Sequence, residues 1–193
     1  MIVGITGSIG SGKTTVAKLF SRHWFKRIDA DEIAHEIIKK NSIAYKKIVK
    51  IFGNGILDKN KNIERKKLGD IVFNDRKSLR KLNSITHPII IAEIKKIQKK
   101  CGENTKIVID APLLLETKTK NLADKIIVVN CDKKNIMNRI DKKYSKEKIE
   151  KILKIQMPPN DKLKYADFAI DNNKDLKHLE MQVKNIIGIL NNH

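Results

Sequence analysis

The sequence predicts an α/β fold, in which a parallel sheet is flanked by helices. Two stretches rich in β-branched residues, TKIVIDAPLLLE (105–116) and ADKIIVVNC (123–131), have the composition of strands that are buried on both faces. A glycine-rich stretch, GSIGSGKTT (7–15), lies between an apolar segment and an amphipathic one. Strands that alternate with helical segments in this way indicate parallel pairing with crossover helices.

The two ends of the chain show the same alternation. Residues 2–6 are predicted to form a short buried strand, and residues 13–23 a helix with apolar side chains at helical spacing. FKRIDADEIA (25–34) is predicted to contain a short strand, a turn and the start of a helix. We expect the last strand at residues 166–172 and the last helix at residues 174–190.

The middle of the chain is predicted to be a helical insertion between strands, from about residue 32 to residue 100. Glycines and asparagines indicate a loop at FGNGILDKNKNI (52–63). DRKSLRKLNSI (75–85) and HPIIIAEIKKIQKKC (87–101) are predicted to be separate helices. Further on, a charged helical stretch that breaks near the letters YS is predicted to end at PPN (158–160).

The formal net charge of +19 suits a small polyanionic substrate better than a nucleic acid. The excess is nearly all lysine, which lacks the planar fork with which arginine binds phosphates and base edges. The lysines are spread along helical periods, where they form solvated polar faces. Aromatic residues, on which single-stranded bases would stack, make up only 5% of the chain. We therefore expect no nucleic-acid partner.

Length and cysteine content indicate an ordinary globular protein. The 193 residues suit one domain with small excursions. No apolar run approaches the roughly eighteen residues of a membrane span, and the N-terminus shows no export signal. Cys101 and Cys131 form no pairing pattern, as in a reduced protein. We expect a cytoplasmic location and no membrane partner.

The motif G-x-x-x-x-G-K-[ST] is matched by residues 7–14 and predicts a phosphate-binding loop, or P-loop. Its glycines allow successive backbone N–H groups to form an anion nest, and the following helix adds its positive N-terminus. Lys13 is expected at the β- and γ-phosphates, and the Thr14 hydroxyl at Mg²⁺. The alternative is a flexible glycine turn. The position between a strand and a helix favours a site for a nucleoside triphosphate with Mg²⁺.

The carboxylates Asp29, Asp31 and Asp110 follow predicted strands and should converge near this loop, because ligands bind at the carboxyl ends of parallel strands. Asp110 is expected at the metal ion, with a strand-end cap as the alternative. Asp31 is a candidate base for the proton of an acceptor hydroxyl, with helix capping as the alternative. A GTPase is disfavoured, because NNKD (172–175) is the nearest approach to the guanine-reading N-K-x-D.

Several longer motifs resemble the dephospho-CoA kinase family. GITGSIGSGKTTVA, DADEIAHE, LNSITHPII, VIDAPLLLE and QMPPNDKLKYADFAIDN occur in the family's order, from Ile2 to about Asn172. The resemblance implies transfer of the ATP γ-phosphate to the ribose 3′-hydroxyl of dephospho-CoA, the last step of CoA biosynthesis. It also implies a P-loop kinase core, a helical CoA-substrate region and a small helical lid. These would comprise residues 1–31 with 101–132 and 166–193, residues 32–100, and residues 133–165, respectively.

The family's site residues can be carried over by position. The ATP phosphates would be held by Gly10, Ser11, Gly12, Lys13, Thr14 and Thr15. Arg139 and Lys143 would be lid cations, and Asn172 would lie near the ATP base. Asp31 would be the base, and Asp110 would serve the metal site. The acceptor side would be formed by Asp31, Arg65, His87, Leu113, Leu114 and Glu116.

Some of these assignments have alternatives. His87 with Pro88 could instead mark a helix start, and the leucine pair could be core packing with some substrate contact. The sequence also departs from the family at Ser8, where a second glycine is usual, and at Lys143, where an arginine is usual. A lysine offers a point charge but no fork to a phosphate.

Two other functions stay open from the sequence alone. One is a P-loop kinase of another nucleotide or nucleoside, and the other is a basic nucleic-acid-binding P-loop ATPase. The oligomeric state is also open, although we expect a monomer.

Overall fold

The computed structural model describes residues 1–102, 104–140 and 145–192. They form two compact units, of which one comprises Met1–Asp29 with Cys101–His193 and the other Ala30–Lys100. Along the chain the helices are α1 (Lys13–Ser21), α2 (Ala30–Ile37), α3 (Ile43–Phe52), α4 (Arg65–Asn74), α5 (Arg76–Cys101), α6 (Lys133–Ile140), α7 (Lys146–Ile155), α8 (Pro159–Leu163) and α9 (Leu176–Asn191). None of the helices in these ranges is long and apolar enough to cross a membrane.

The first unit contains a parallel sheet of five strands, as the β-branched runs predict. The strands are β1 (Ile2–Gly7), β2 (Lys26–Asp29), β3 (Ile107–Asp110), β4 (Lys125–Asn130) and β5 (Phe168–Asp171). Their order is β2-β3-β1-β4-β5, and every pairing is parallel. The predicted α/β fold with a P-loop kinase core is confirmed. Central strand β1 therefore ends at the sheet edge where ligands of such folds bind.

Helices α1 and α9 supply much of the core that covers this sheet. Val16 and Phe20 of α1 are fully buried and pack in one cluster with Val183 of α9. The Phe20 ring meets Phe25 edge to face, with centroids 5.1 Å apart, a geometry that favours aromatic pairs. Because β1 is buried along its whole length, the loop that follows it starts from a rigid support.

The second unit consists of α2 to α5 and has a core of its own. Its fully buried centre includes Ile48 of α3 and Ile56 of a short 3₁₀ turn in the predicted loop. Ser42 begins α3 as an N-cap, because its Oγ accepts a hydrogen bond from Tyr45 N at 3.0 Å. We predicted largely helical structure for this part of the chain, and the structure agrees.

One predicted helix boundary is wrong, and it lies at a proline. Helix α5 is continuous from Arg76 to Cys101 with Pro88 inside it, so neither two separate helices nor a helix start at His87 is correct. Tertiary packing overrides the local preference, since Ile85, Ile89 and Ile90 around the proline pack against the core of the second unit. The boundary predicted at PPN (158–160) is confirmed, since α7 ends at Ile155, and Pro159 begins the next helix, α8, because proline suits the first helical position.

Candidate active site

The loop after β1 has the backbone conformation that an anion nest requires. Gly7, Gly10 and Gly12 have φ values of 153°, 73° and 95°, which are strained for any residue with a side chain. A Cβ atom at Gly12 would collide with the Asn172 amide nitrogen, and one at Gly10 would lie 3.0 Å from Ile140. Both glycines are therefore needed for conformation and for space.

The loop leads directly into an open helix end. No side chain caps the N-terminus of α1 within the described residues, and its first turn carries no acidic residue. The first N–H groups and the helix dipole are thus available to an anion. Thr14 and Thr15 of this turn are exposed, and Ser11 is fully buried with a hydroxyl that finds no partner in the described residues.

Lys13 lies within the loop that it is predicted to serve. Its side chain is only 7% exposed, and its ammonium group donates to the carbonyl of Ser8 at 2.9 Å. Ser11 N donates to the same carbonyl at 3.1 Å. Ser8, which replaces the family's usual glycine, is accommodated because its φ is not positive. The loop is therefore folded around a buried cation.

Arg139 and Asn172, both predicted for the ATP site, are joined to the loop by hydrogen bonds. Asn172 Nδ2 donates to Ser11 O at 2.7 Å, and Arg139 Nη2 donates to Asn172 O at 2.8 Å. Arg139 Nη1 lies 3.3 Å from Cys131 Sγ. Burial raises the pKa of the Cys131 thiol, so this contact is to a neutral thiol. Lys143 lies outside the described residues.

Asp110 ends β3 beside Asp29, as expected for carboxylates that follow neighbouring strands. Asp29 is its partner in the register of β2 and β3, and the Arg27 guanidinium binds both. The Arg27 Nη2 to Asp110 Oδ2 distance is 3.0 Å, and Asp110 is 3% exposed. Arg27 thus balances two adjacent negative charges. In the strand segment KRID, side chains alternate between the two faces, so Arg27 and Asp29 lie on one face. This spacing is the sequence signal that could have indicated their pairing.

The acceptor-side residues of the first unit differ in their surroundings. Leu114 is fully buried and lies close to Gly4, which agrees with the alternative of core packing. Leu113 is half-buried. Glu116 is half-buried and pairs with Lys162, whose ammonium lies 2.9 Å from Glu116 Oε1. Sequence reasoning did not single out Lys162.

The other predicted acceptor residues belong to the second unit. Asp31 lies in the first turn of α2, two residues after β2 ends. Arg65 Nη1 lies 2.6 Å from His35 Nε2, which therefore acts as the acceptor, in a groove of about 630 Å³. His87 is half-buried in α5, and burial lowers its pKa. His87 is accordingly neutral at pH 7.

The residues present fit a magnesium ion bound with ATP. Mg²⁺ keeps several waters and takes one or two protein carboxylates together with substrate phosphates. The described residues contain no group of three or more His, Cys, Asp or Glu side chains that would form a dedicated metal cage. Asp110 and the exposed Thr14 instead offer the sparse donor set that a phosphate-bound Mg²⁺ needs.

We predict that Gly12→Ala weakens ATP binding by about tenfold or more, because left-handed backbone costs a side chain roughly 1–2 kcal/mol and the methyl group also strikes Asn172. Gly53→Ala is the matched control. Gly53 also has a positive φ, 76°, but a Cβ atom there meets nothing within 4 Å. Nucleotide titration should show a loss of ATP affinity for Gly12→Ala alone. Thermal melts compare the stability of the two variants. Equal ATP affinity in both variants would contradict the steric argument.

The comparisons with known proteins agree with this geometry. The family model described as "Dephospho-CoA kinase" matches residues 1–178. Dephospho-CoA kinases from Aquifex aeolicus and Fusobacterium nucleatum are 43% and 44% identical to this chain, and each alignment covers 95% of it, with 94% and 95% of the relative. A solved dephospho-CoA kinase from Campylobacter jejuni superimposes with a TM-score of 0.69 at 34% identity, over 98% of this chain and 96% of that one. This chain belongs to the dephospho-CoA kinase family, whose members are ATP-dependent phosphotransferases acting on an alcohol group in the last step of CoA biosynthesis.

Proposed function

We propose that this chain binds Mg·ATP at the loop after β1 and transfers the γ-phosphate to the ribose 3′-hydroxyl of dephospho-CoA. One observation carries the proposal. A glycine loop with three positive φ values runs from the buried strand β1 to the open N-terminus of α1, with Lys13 buried in its interior. Phosphoryl transfer requires positioning and charge neutralisation, and this arrangement supplies both.

The loop and Lys13 hold the phosphates. Backbone N–H groups from Gly10 to Thr15 bind phosphate oxygens, and Lys13 exchanges the neutral Ser8 carbonyl for the charged β- and γ-phosphates. The charged acceptor makes the stronger hydrogen bond. Thr14 and Asp110 hold the metal ion. Bound Mg²⁺ neutralises charge on the phosphate oxygens.

Asp31 is the proposed base. In this role it accepts the proton of the 3′-hydroxyl as the oxygen attacks the γ-phosphorus. Its position in the first turn of α2 also suits helix capping. A substitution that keeps the capping ability but removes the base separates the two roles.

The remaining predicted residues bind the two substrates. Arg139 and Lys143 contribute lid cations at the transferring phosphate, and Asn172 lies near the ATP base. On the acceptor side, Arg65 offers a fixed guanidinium beside His35, and His87 meets the substrate as a neutral imidazole. Leu113 and Glu116, which belong to the first unit, are also proposed to bind the acceptor. Leu114 supports them from the core.

We propose the same division of labour for the three parts of the chain. Residues 1–31, 101–132 and 166–193 are the core, 32–100 the CoA-substrate region and 133–165 the lid. The protein acts in the cytoplasm as a monomer on small molecules, without a nucleic-acid or membrane partner.

An acceptor panel tests this proposal. With Mg·ATP in excess, kcat/KM should be about a hundredfold or more higher for dephospho-CoA than for AMP or adenosine, because binding energy from the rest of the CoA skeleton is used at the transition state. Comparable values for AMP and dephospho-CoA would assign the chain to another nucleotide. Hydrolysis stimulated by single-stranded DNA or RNA, without phosphorylation of any acceptor, would support the nucleic-acid ATPase.

A further inference from the structure

Lys162, in α8, is a fully buried lysine that the proposed mechanism leaves without a role. Its ammonium lies 2.9 Å from Glu116 Oε1, 2.9 Å from Pro112 O and 3.4 Å from Thr6 Oγ1. Three acceptors match the three protons of an ammonium group. Burial of a charge is expensive even when the charge is paired, and a hydrophobic replacement often stabilises a protein. Stability alone therefore does not explain this residue.

The hydrogen bonds of Lys162 connect α8 to the ends of two strands, β1 and β3. Thr6 is the last residue of β1 before the glycine of the loop, and Pro112 follows β3 by two residues. Glu116 belongs to the same segment as Pro112. The ammonium thus joins the ends of two neighbouring strands from one buried point.

A second set of contacts continues from Glu116 to the phosphate loop itself. Glu116 Oε1, which pairs with Lys162, also accepts a hydrogen bond from Met157 N at 2.8 Å. The preceding residue, Gln156, accepts from Ile9 N at 3.0 Å through its side-chain Oε1. Gln156 is 8% exposed, so this bond to the loop is shielded from water. The position of Met157 fixes the backbone from which the Gln156 side chain reaches Ile9.

We infer that Lys162 is a positioning residue, which holds Glu116 and Met157 so that Gln156 keeps the phosphate loop in its ATP-binding conformation. The inference rests on the proposed binding of ATP at this loop. The Ile9 N–H that Gln156 accepts lies directly before the amides of residues 10–15, which are proposed to bind the phosphates. Loss of Lys162 frees Glu116 and Met157 to move. The loss should therefore appear in ATP binding measured without acceptor.

The main test is Lys162→Met, which keeps an unbranched side chain of nearly the same length and removes the charge. We expect the dissociation constant for ATP, measured without acceptor, to rise about tenfold, the scale of one lost charge-assisted hydrogen bond. Lys164→Met is the matched control, since Lys164 lies two residues away with its side chain 72% exposed and paired with Asp161. This control should leave the dissociation constant for ATP unchanged. An unchanged dissociation constant for ATP in Lys162→Met would overturn the inference.

Two further variants keep the test decisive if Lys162→Met folds poorly. Gln156→Met leaves the Lys162–Glu116 pair intact but removes the acceptor for Ile9, so it should reproduce the loss of ATP affinity. Lys162→Met combined with Glu116→Leu leaves no stranded charge, so it should regain thermal stability without regaining ATP affinity.

The outcomes of these variants also separate the inference from the proposed function. Normal ATP affinity in Gln156→Met, or ATP affinity that returns with stability in the double variant, would show a merely structural role. ATP affinity is measured by nucleotide titration without acceptor. Failure of the parent protein to form CoA would therefore count against the proposed function, whereas these affinities decide the inference.

Discussion

Lys13→Ala is expected to lower turnover by about a hundredfold or more, the scale of removing one preorganised electrostatic donor at a transferring group. Lys13 is buried in the loop, where few water molecules can replace its charge. The substitution removes a cation from the ground-state phosphates and also from the transition state, in which charge spreads over the γ-phosphoryl oxygens. Both KM for ATP and kcat should therefore suffer, with the larger change in kcat. Steady-state kinetics at varied ATP measures the two separately.

Lys18→Ala is the control for this experiment. Lys18 lies in the last turn of the same helix, α1, and its side chain is exposed. The net charge and the helix propensity change in the same way in both variants, but only Lys13 lies in the phosphate loop. Near-parental turnover in Lys13→Ala would show that this ammonium does not contact the reacting phosphates.

Asp31→Asn should reduce turnover by about a hundredfold or more while ATP affinity persists, because general bases contribute roughly 10²–10⁴-fold and asparagine cannot take the proton. Asparagine keeps the size of the side chain but is neutral, so a purely electrostatic role in the first turn of α2 would cost a small amount of stability and leave turnover intact. Turnover, nucleotide titration and a thermal melt on the same preparation distinguish the two roles.

Glu32→Gln serves as the matched control for Asp31→Asn. Glu32 is the next residue in the first turn of α2, so its neutralisation removes the same favourable interaction with the helix dipole. If the effect of Asp31→Asn comes from that dipole, both variants should lose the same small stability and keep their activity. A stable and fully active Asp31→Asn variant would rule out the catalytic role.

The sequence predicted the sheet and the loop well, for physical reasons that are local. Strands buried on both faces need continuous apolar runs, as in β3 and β4, and the glycine pattern reports backbone conformation directly. Glycine permits the positive φ that the structure shows at Gly10 and Gly12. The helix boundary predicted at Pro88 was wrong. Pro88 is tolerated in α5 because packing outweighs the local preference, which no short window of sequence contains.

The candidate site was predictable only where a motif specifies it. Arg27, Gln156 and Lys162 make their contacts with residues that lie far away in the chain, as in the Lys162 bond to Thr6 across 156 positions. Nothing in the sequence distinguishes Lys162, which is buried, from the many other lysines of the chain. Its role depends on where the sheet places Glu116 and Pro112. Lys143 remains a prediction from the family pattern, as do the catalytic roles of Asp31 and Asp110.

The most direct test of the central claim is the identity of the product. Purified protein is incubated with Mg²⁺, dephospho-CoA and ATP labelled with ¹⁸O at the γ-phosphate, and the products are resolved by mass spectrometry and ³¹P NMR. The account predicts ADP and CoA in equal amounts, with the labelled phosphate on the ribose 3′-oxygen. Unlabelled CoA, a phosphate at another position, or labelled inorganic phosphate without CoA would contradict it.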